Sequence, residues 1–380
     1  MPMDSPPPPP VMAVAPPPLA APAPQASPSD PLAPPGSPLA RFWIWTPGAA
    51  SCAGKPLDLS GLERPDPTSM QWTTGTATIT FRIDAQGRPR SIVPQMQEAA
   101  IPYGYRVLSP WLDLEPSLAA SHFPAGAPRN ACRIDYTLRP VEFAEATLGE
   151  KLEWSVSMEG ALNQELALTR LLAGDSSCNE ELYPRVLHYA PFDQMPSRPG
   201  HTGKILLFFD VGADGVPTDI RAGYSSATPQ ATAESIAAAG RSRIAPKAAK
   251  GCVRIDLQAP DKVIAPPAPI DPAVLRPKDS DCPTYGNELL DVADVPYPEG
   301  FQRRGIEGWA IVGFDIVPGR GVTRVTALRA EPAAAFGVQA EEVVRAAKPR
   351  SGERAYHGCV ARILFKLPES GPYGVFNGVR

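Results

Sequence analysis

Charge is scarce in this sequence, histidine is scarcer, and long apolar runs are missing. Charged residues make up 20% of the 380, with a net charge of −4. That balance excludes the basic face of a nucleic-acid binder and the polybasic patch of a membrane-surface protein. No run approaches the ~18–20 apolar residues of a transmembrane helix. The longest, such as residues 205–209, is strand-sized, so no transmembrane segment is expected in this chain. The cysteines form no Cys-x-x-Cys, and His122, His188, His201 and His357 are scattered, which argues against a metal site. Gly-x-Ser-x-Gly, His-Glu-x-x-His and the Walker loop are all absent. Gly319-Arg320-Gly321 is a hairpin glycine pair and not a dinucleotide fingerprint, and His357 beside Cys359 reads as a turn histidine. Asp113 with Glu115, and Glu341 with Glu342, read as solvated carboxylates. No catalytic residue and no cofactor are expected, and the chain is not expected to be an enzyme.

Proline is abundant instead, 49 residues in all, and sixteen of them fall within the first 40 positions. That segment favours extended polyproline II and cannot bury an apolar face, so residues 1–40 are expected to be a disordered tail. No Lys or Arg precedes Arg41, and prolines interrupt the apolar stretch near Val11. A secretory signal is therefore not visible, and the export signal is expected upstream of Met1 or already removed. A second proline cluster, residues 259–281, reads as a linker between units. Residues 141–177 read as a connection, with a helix over 158–173 carrying Leu162, Leu166 and Leu172. Residues 369–380 read as a flexible tail.

The cysteines, taken in order, make three pairs: Cys52 with Cys132, Cys178 with Cys252, and Cys282 with Cys359, separated by 80, 74 and 77 positions. Near-equal spacing is a repeat signal, and other features recur in register. After Gly75, Gly203 and Gly308, apolar residues occupy every second position. They are Ala77, Ile79, Phe81 and Ile83, then Ile205, Leu207, Phe209 and Val211, then Ala310, Val312, Phe314 and Ile316. Such alternation marks a strand with one buried face. Glycine-bearing turns follow at Gln86-Gly87, Asp214-Gly215 and Gly319-Arg320-Gly321, then a second strand through Ile92, Ile220 or Val325. Helical periodicity comes next, clear in Ala340, Val343, Val344 and Ala347, expected on Ala233, Ile236 and Ala237, and weakest in the first repeat near Pro110 and Pro116. Each unit closes on a cysteine-led strand, in which an Arg-Ile step drifts from one to three residues after the cysteine. That drift means either a bulge or different strand starts.

The expected fold is α+β, in tandem small domains, each an antiparallel three-stranded sheet with two helices on one face. The units are repeat one (41–140), repeat two (178–258) and repeat three (282–368). Trp43 and Trp45 read as an extra edge strand on the first unit, the alternative being a stacking surface for a ligand. So small a core suits disulfides, each worth roughly 4 kcal/mol in the chain-entropy model, and disulfides imply an oxidising compartment. Six buried free thiols are the alternative, and six cysteines allow ~15 connectivities.

The segment from Val295 to Phe314, with Tyr297, Pro298, Gly305, Gly308 and Phe314, resembles the C-terminal domain of TonB-family energy transducers. The match covers roughly residues 282–368, and repeats two and one look like divergent copies. The resemblance implies a periplasmic protein-interaction domain on a proline-rich spacer, as in TonB-dependent transport. An extended peptide of an envelope or outer-membrane partner would pair with an open sheet edge. Carried over by position, that edge is Val360, Ala361, Arg362, Ile363, Leu364 and Phe365, within residues 360–367, with Tyr297 and Pro298 close by. A proline at Ile363 is expected to abolish such docking. The alternative is an envelope scaffold whose repeats pack on each other and leave no free edge.

Overall fold

The structure, a computed structural model, describes residues 41–68, 75–95, 113–157, 176–178, 187–260, 262–282, 286–292, 295–350 and 354–367. The expected proline-rich tail, the helix at 158–173 and the C-terminal tail lie outside the described residues.

The first unit comprises β1 (Arg41–Cys52), β2 (Lys55–Pro56), β3 (Thr76–Ile83), β4 (Pro89–Gln95), α1 (Leu114–Ala120) and β5 (Arg129–Glu142). A helix α2 (Leu148–Ser155) leads to the second unit, β6 (Gly203–Val211), β7 (Pro217–Ser225), α3 (Pro229–Arg241) and β8 (Ala249–Gln258). The third has β9 (Leu290–Asp291), α4 (Glu299–Arg303), β10 (Gly308–Val317), β11 (Gly321–Glu331), α5 (Ala334–Ala346), β12 (Lys348–Pro349) and β13 (Tyr356–Phe365). The chain is thus α+β with small antiparallel sheets and few helices. Among the described residues, no helix is long and apolar enough to cross a membrane.

The sheets of units two and three run β7-β6-β8 and β11-β10-β13. The first differs from the expected three strands. Its order is β2-β1-β5-β3-β4, because β1 lies antiparallel along the outer edge of β5, from Arg41 opposite Glu142 to Cys52 opposite Cys132. Trp43 and Trp45 belong to that added strand and are 5% and 3% exposed, so neither offers a ring face for stacking.

Within this frame the three units share one register. Phe81 faces Cys132, Phe209 faces Cys252 and Phe314 faces Cys359. The register slips just before each cysteine, at a left-handed residue: Ala131 (φ 49°), Gly251 (φ 66°) and Gly358 (φ 65°). A second slip recurs in the neighbouring strand at Ser91, Asp219 and Arg324. These are β-bulges, which bend and twist a strand locally. Because the bulges precede the cysteines, the Arg-Ile drift is no insertion. Ile134 and Ile363 stand an even number of positions after their cysteines and Ile255 an odd number, so Ile255 takes the opposite sheet face. There it packs with Leu152 and Leu206 under α2.

The helices follow their sequence periodicity with one correction. In α5, Ala340, Val343 and Val344 are buried, and Ala347 caps its end. In α3 the buried face is Ala231, Ser235, Ala238 and Ala239, while Ala233 and Ala237 are exposed. The buried Ser235 hydroxyl is bound to the buried Asp256 carboxylate on that face, and the half-buried Ile236 packs against the core as expected. The α2 helix begins with a capping box, Thr147 accepting from the Glu150 N–H and Glu150 accepting from the Thr147 N–H.

Units one and three share one continuous apolar core that includes Ile79, Phe81, Phe314 and Phe336. Their sheets meet where Ile92 forms a parallel bridge to Ala333, its N–H donating to the Pro332 carbonyl at 2.9 Å. The 259–281 stretch lies against unit three. Ile264 pairs with Ile306, and the Trp309 indole N–H donates to the Pro267 carbonyl at 2.7 Å.

Candidate functional site

Disulfides join Cys52 to Cys132, Cys178 to Cys252 and Cys282 to Cys359. Each fastens the cysteine-led strand, which is the outer strand of the sheet in units two and three. An outer strand presents every second residue's N–H and C=O away from its partner. On β13 the outward set is Val360, Arg362 and Leu364. The Arg362 N–H and C=O are spent on the Asn287 side chain, so they cannot face β10. Ala361, Ile363 and Phe365 exchange bonds with β10 instead.

Side chains add little to this edge. Val360, Ala361, Ile363 and Phe365 are buried, Arg362 is half-buried and Leu364 is 45% exposed. Leu275 packs over Val360 together with Trp309 and Ile311. Any recognition here therefore rests on the backbone, with Leu364 as an exposed apolar side chain on the strand. Tyr297 lies beside the far end of β13, its hydroxyl donating to the Ile306 carbonyl at 2.7 Å and its ring packed edge-on against Phe336 and Phe365. Pro298 precedes α4 as its cap residue. The Gly305 and Gly308 pair also has a local cause. Gly305 turns the chain left-handed after α4, at φ 65°. A Cβ on Gly308 would lie 2.5 Å from the Phe336 ring.

A second arrangement, with no counterpart in the sequence reading, lies where the three units meet. Asp113 is buried and ion-paired with Arg304, whose Nη1 donates to the Gly200 carbonyl at 3.2 Å and whose Nη2, besides pairing with Asp113, donates to the Arg64 carbonyl at 3.0 Å. Lys204 bridges Asp66, at 3.1 Å, and Glu153. Arg303 also reaches Asp66 at 3.1 Å. Glu63 holds His201 at 3.1 Å and Arg198 at 2.6 Å. Burial pushes the Asp66 carboxyl up, but Lys204, Arg303 and Arg304 outweigh it and hold it well below the usual range. Burial likewise pulls the Lys204 amine down, and Asp66 and Glu153 more than offset it.

Asp113 and Glu115 are thus not solvated carboxylates. Asp113 stands at the N-cap of α1 but bonds Arg304 and the Asp66 N–H (2.6 Å) instead of its own helix. Glu115 accepts from the Ala335 N–H at 3.0 Å, capping α5, whose own cap residue Ala333 has no suitable side chain. Burial raises the Glu115 carboxyl to about 7. Partners this far apart along the chain leave no pattern that a sequence reading could follow. The α2 helix did leave one, the Thr147-x-x-Glu150 box. Among the described residues, no group of three His, Cys, Asp or Glu side chains is placed to hold a metal ion. His357 sits at a bulge, with Nδ1 3.0 Å from the Asp315 carboxylate, and Cys359 is in a disulfide.

No protein-family model matches the chain, and no curated protein sequence matches it.

Proposed function

We propose that this is a non-enzymatic interaction protein of the TonB C-terminal-domain type, with three divergent tandem copies. In this reading it binds extended peptides of envelope or outer-membrane partners by strand addition, in the periplasm. The observation that carries it is β1. Along β5, the first unit's cysteine-led strand already accepts an added antiparallel strand over most of its length. Strand β13 presents the same edge of an equivalent unit, and among the described residues no strand pairs with it there. Each hydrogen bond regained by an edge contributes roughly 0.5–1.5 kcal/mol net. Disulfides in all three units support an oxidising compartment.

A peptide with the sequence of residues 41–52, carrying Ser in place of Cys52, is the probe. In the full chain, the Leu364 amide is expected to exchange rapidly when free and to be protected once the probe binds. The proline test moves from Ile363 to Leu364. The Ile363 N–H serves the inner ladder, so a proline there breaks the sheet itself. Leu364→Pro deletes only an outward donor, and is expected to abolish probe binding with little change in Tm. Binding retained by a folded Leu364→Pro protein would remove β13 from the proposal.

The scaffold reading has its own support in the buried ion network at the three-unit junction. It expects the Leu364 amide to be protected without any peptide, and the same exchange measurement separates the two.

A further inference from the structure

Along the outer edge of β13, Arg362 has both its outward backbone groups satisfied by a single side chain. The Asn287 carboxamide donates to the Arg362 carbonyl at 2.7 Å and accepts from the Arg362 N–H at 2.9 Å. An amide is the side chain that can do this, because it carries the same donor and acceptor pair as a peptide unit. At the equivalent place in unit one, Asp135 lies opposite the Gly48-Ala49 bulge of β1, between the Pro47–Tyr136 and Ala50–Ile134 pairs. Asn287 therefore stands where an added strand stands in the first unit.

The amide is held in place. Its turn, Gly286–Leu289, is pinned by the buried Leu289 and Leu290 and by the β9–β12 pair. The Arg350 N–H donates to the Leu289 carbonyl at 2.7 Å, and Gly286 rests on β13 so closely that a Cβ would lie 2.4 Å from the Val360 carbonyl. Asn287 itself is exposed. The turn thus covers Val360 and Arg362, while Leu364 further along lies 45% exposed.

Resting on the strand-addition reading, we propose that Asn287 is a releasable latch on the β13 edge: it satisfies Arg362 in the free protein and is displaced when an extended peptide pairs from Leu364 inward. Displacement costs the two hydrogen bonds of one exposed side chain, so the latch lowers affinity and guards the edge without sealing it.

The test compares the full chain with Asn287→Ala, a truncation at an exposed position outside the core. Amide exchange is read at Arg362, with Ala361 and Ile363 as internal controls, together with affinity for the 41–52 peptide carrying Ser at position 52. The variant is expected to speed Arg362 exchange at least tenfold, to leave Ala361 and Ile363 unchanged, and to bind the peptide at least tenfold more tightly. Asn287→Asp, which keeps the acceptor and loses the donor, is expected to fall between. Equal peptide affinity in wild type and Asn287→Ala overturns the latch and leaves strand addition standing. Faster Arg362 exchange with no peptide bound by either protein overturns strand addition at this edge, and the latch with it. Unchanged Arg362 exchange also overturns the latch.

Discussion

Units one and three are built on the same register and treat the same edge in opposite ways. In both, a phenylalanine faces the cysteine and a bulge precedes it. In unit one the chain lays its own strand on the edge, and the Cys52–Cys132 disulfide joins two residues paired across that seam. In unit three the disulfide partner, Cys282, lies just before the Asn287 turn, and one carboxamide stands in for a strand. The residue after the phenylalanine differs as well. Asp315 accepts from the bulge N–H of Gly358 at 2.8 Å, as Asp210 accepts from Gly251 at 2.9 Å in unit two. Unit one has Arg82 there, which reaches out to Glu331 of unit three at 2.8 Å. A reversal of charge at one position turns a clasp within a unit into a bridge between units. An open strand edge is a hazard, and the comparison teaches that one framework can close it permanently or cover it with a single side chain.

The sharpest way to break the pairing of the units is Arg304→Ala. It leaves Asp113 buried without its cation, and a loss of about 3–5 kcal/mol is expected in urea unfolding. A loss under about 1 kcal/mol would mean that the junction is wetter than its geometry indicates. Glu115 tests the same seam by pH. Its folded carboxyl is raised from 4.5 to about 7, so the native protein holds this proton where the unfolded chain has released it. The contribution is full below about pH 4.5 and is lost as pH rises through 7, on the order of 3 kcal/mol. Glu115→Gln should flatten the fall in stability between pH 5 and 8. A slope unchanged in the variant would assign it to other groups. Asp66 works in the opposite sense: its carboxyl is held low, so its contribution is lost as pH falls below the usual carboxylate range. The smallest effect is at the bulges. Unit one places Ala131 at φ 49° where the others have glycine. Left-handed backbone costs a non-glycine residue ~1–2 kcal/mol, and glycine loses ~0.5–1 of that in entropy. Ala131→Gly should stabilise by about 0.5–1 kcal/mol, and Gly358→Ala should destabilise. No change in either variant would mean that neither bulge carries the left-handed cost, and a change in only one would mean that the two bulges are not equivalent.

The strands, the hairpin glycines, the cysteine pairs and α5 were legible in the chain because each depends on neighbours within a dozen residues, or on a repeat that shows itself three times. The face of α3 departs from its apolar periodicity at Ala233 and Ala237, which are exposed, while Ser235, bound to Asp256 of β8, lies on the buried side. Asp113 and Glu115 looked solvated because their partners, Arg304 and Ala335, lie about two hundred positions away. Of the candidate edge, sequence located the strand, but which of its residues face outward depends on pairing parity with β10.

The alternation that buries one face of each sheet, the left-handed turns that glycine accepts cheaply and the cysteines that recur in phase with both are written along the chain. Which edges are covered, that units one and three share a core, and where the charges meet come from the packing of distant segments. Local conformation follows from nearest-neighbour sterics and periodic burial, whereas edges and ion pairs are settled by whichever distant groups arrive with a matching donor, acceptor or charge.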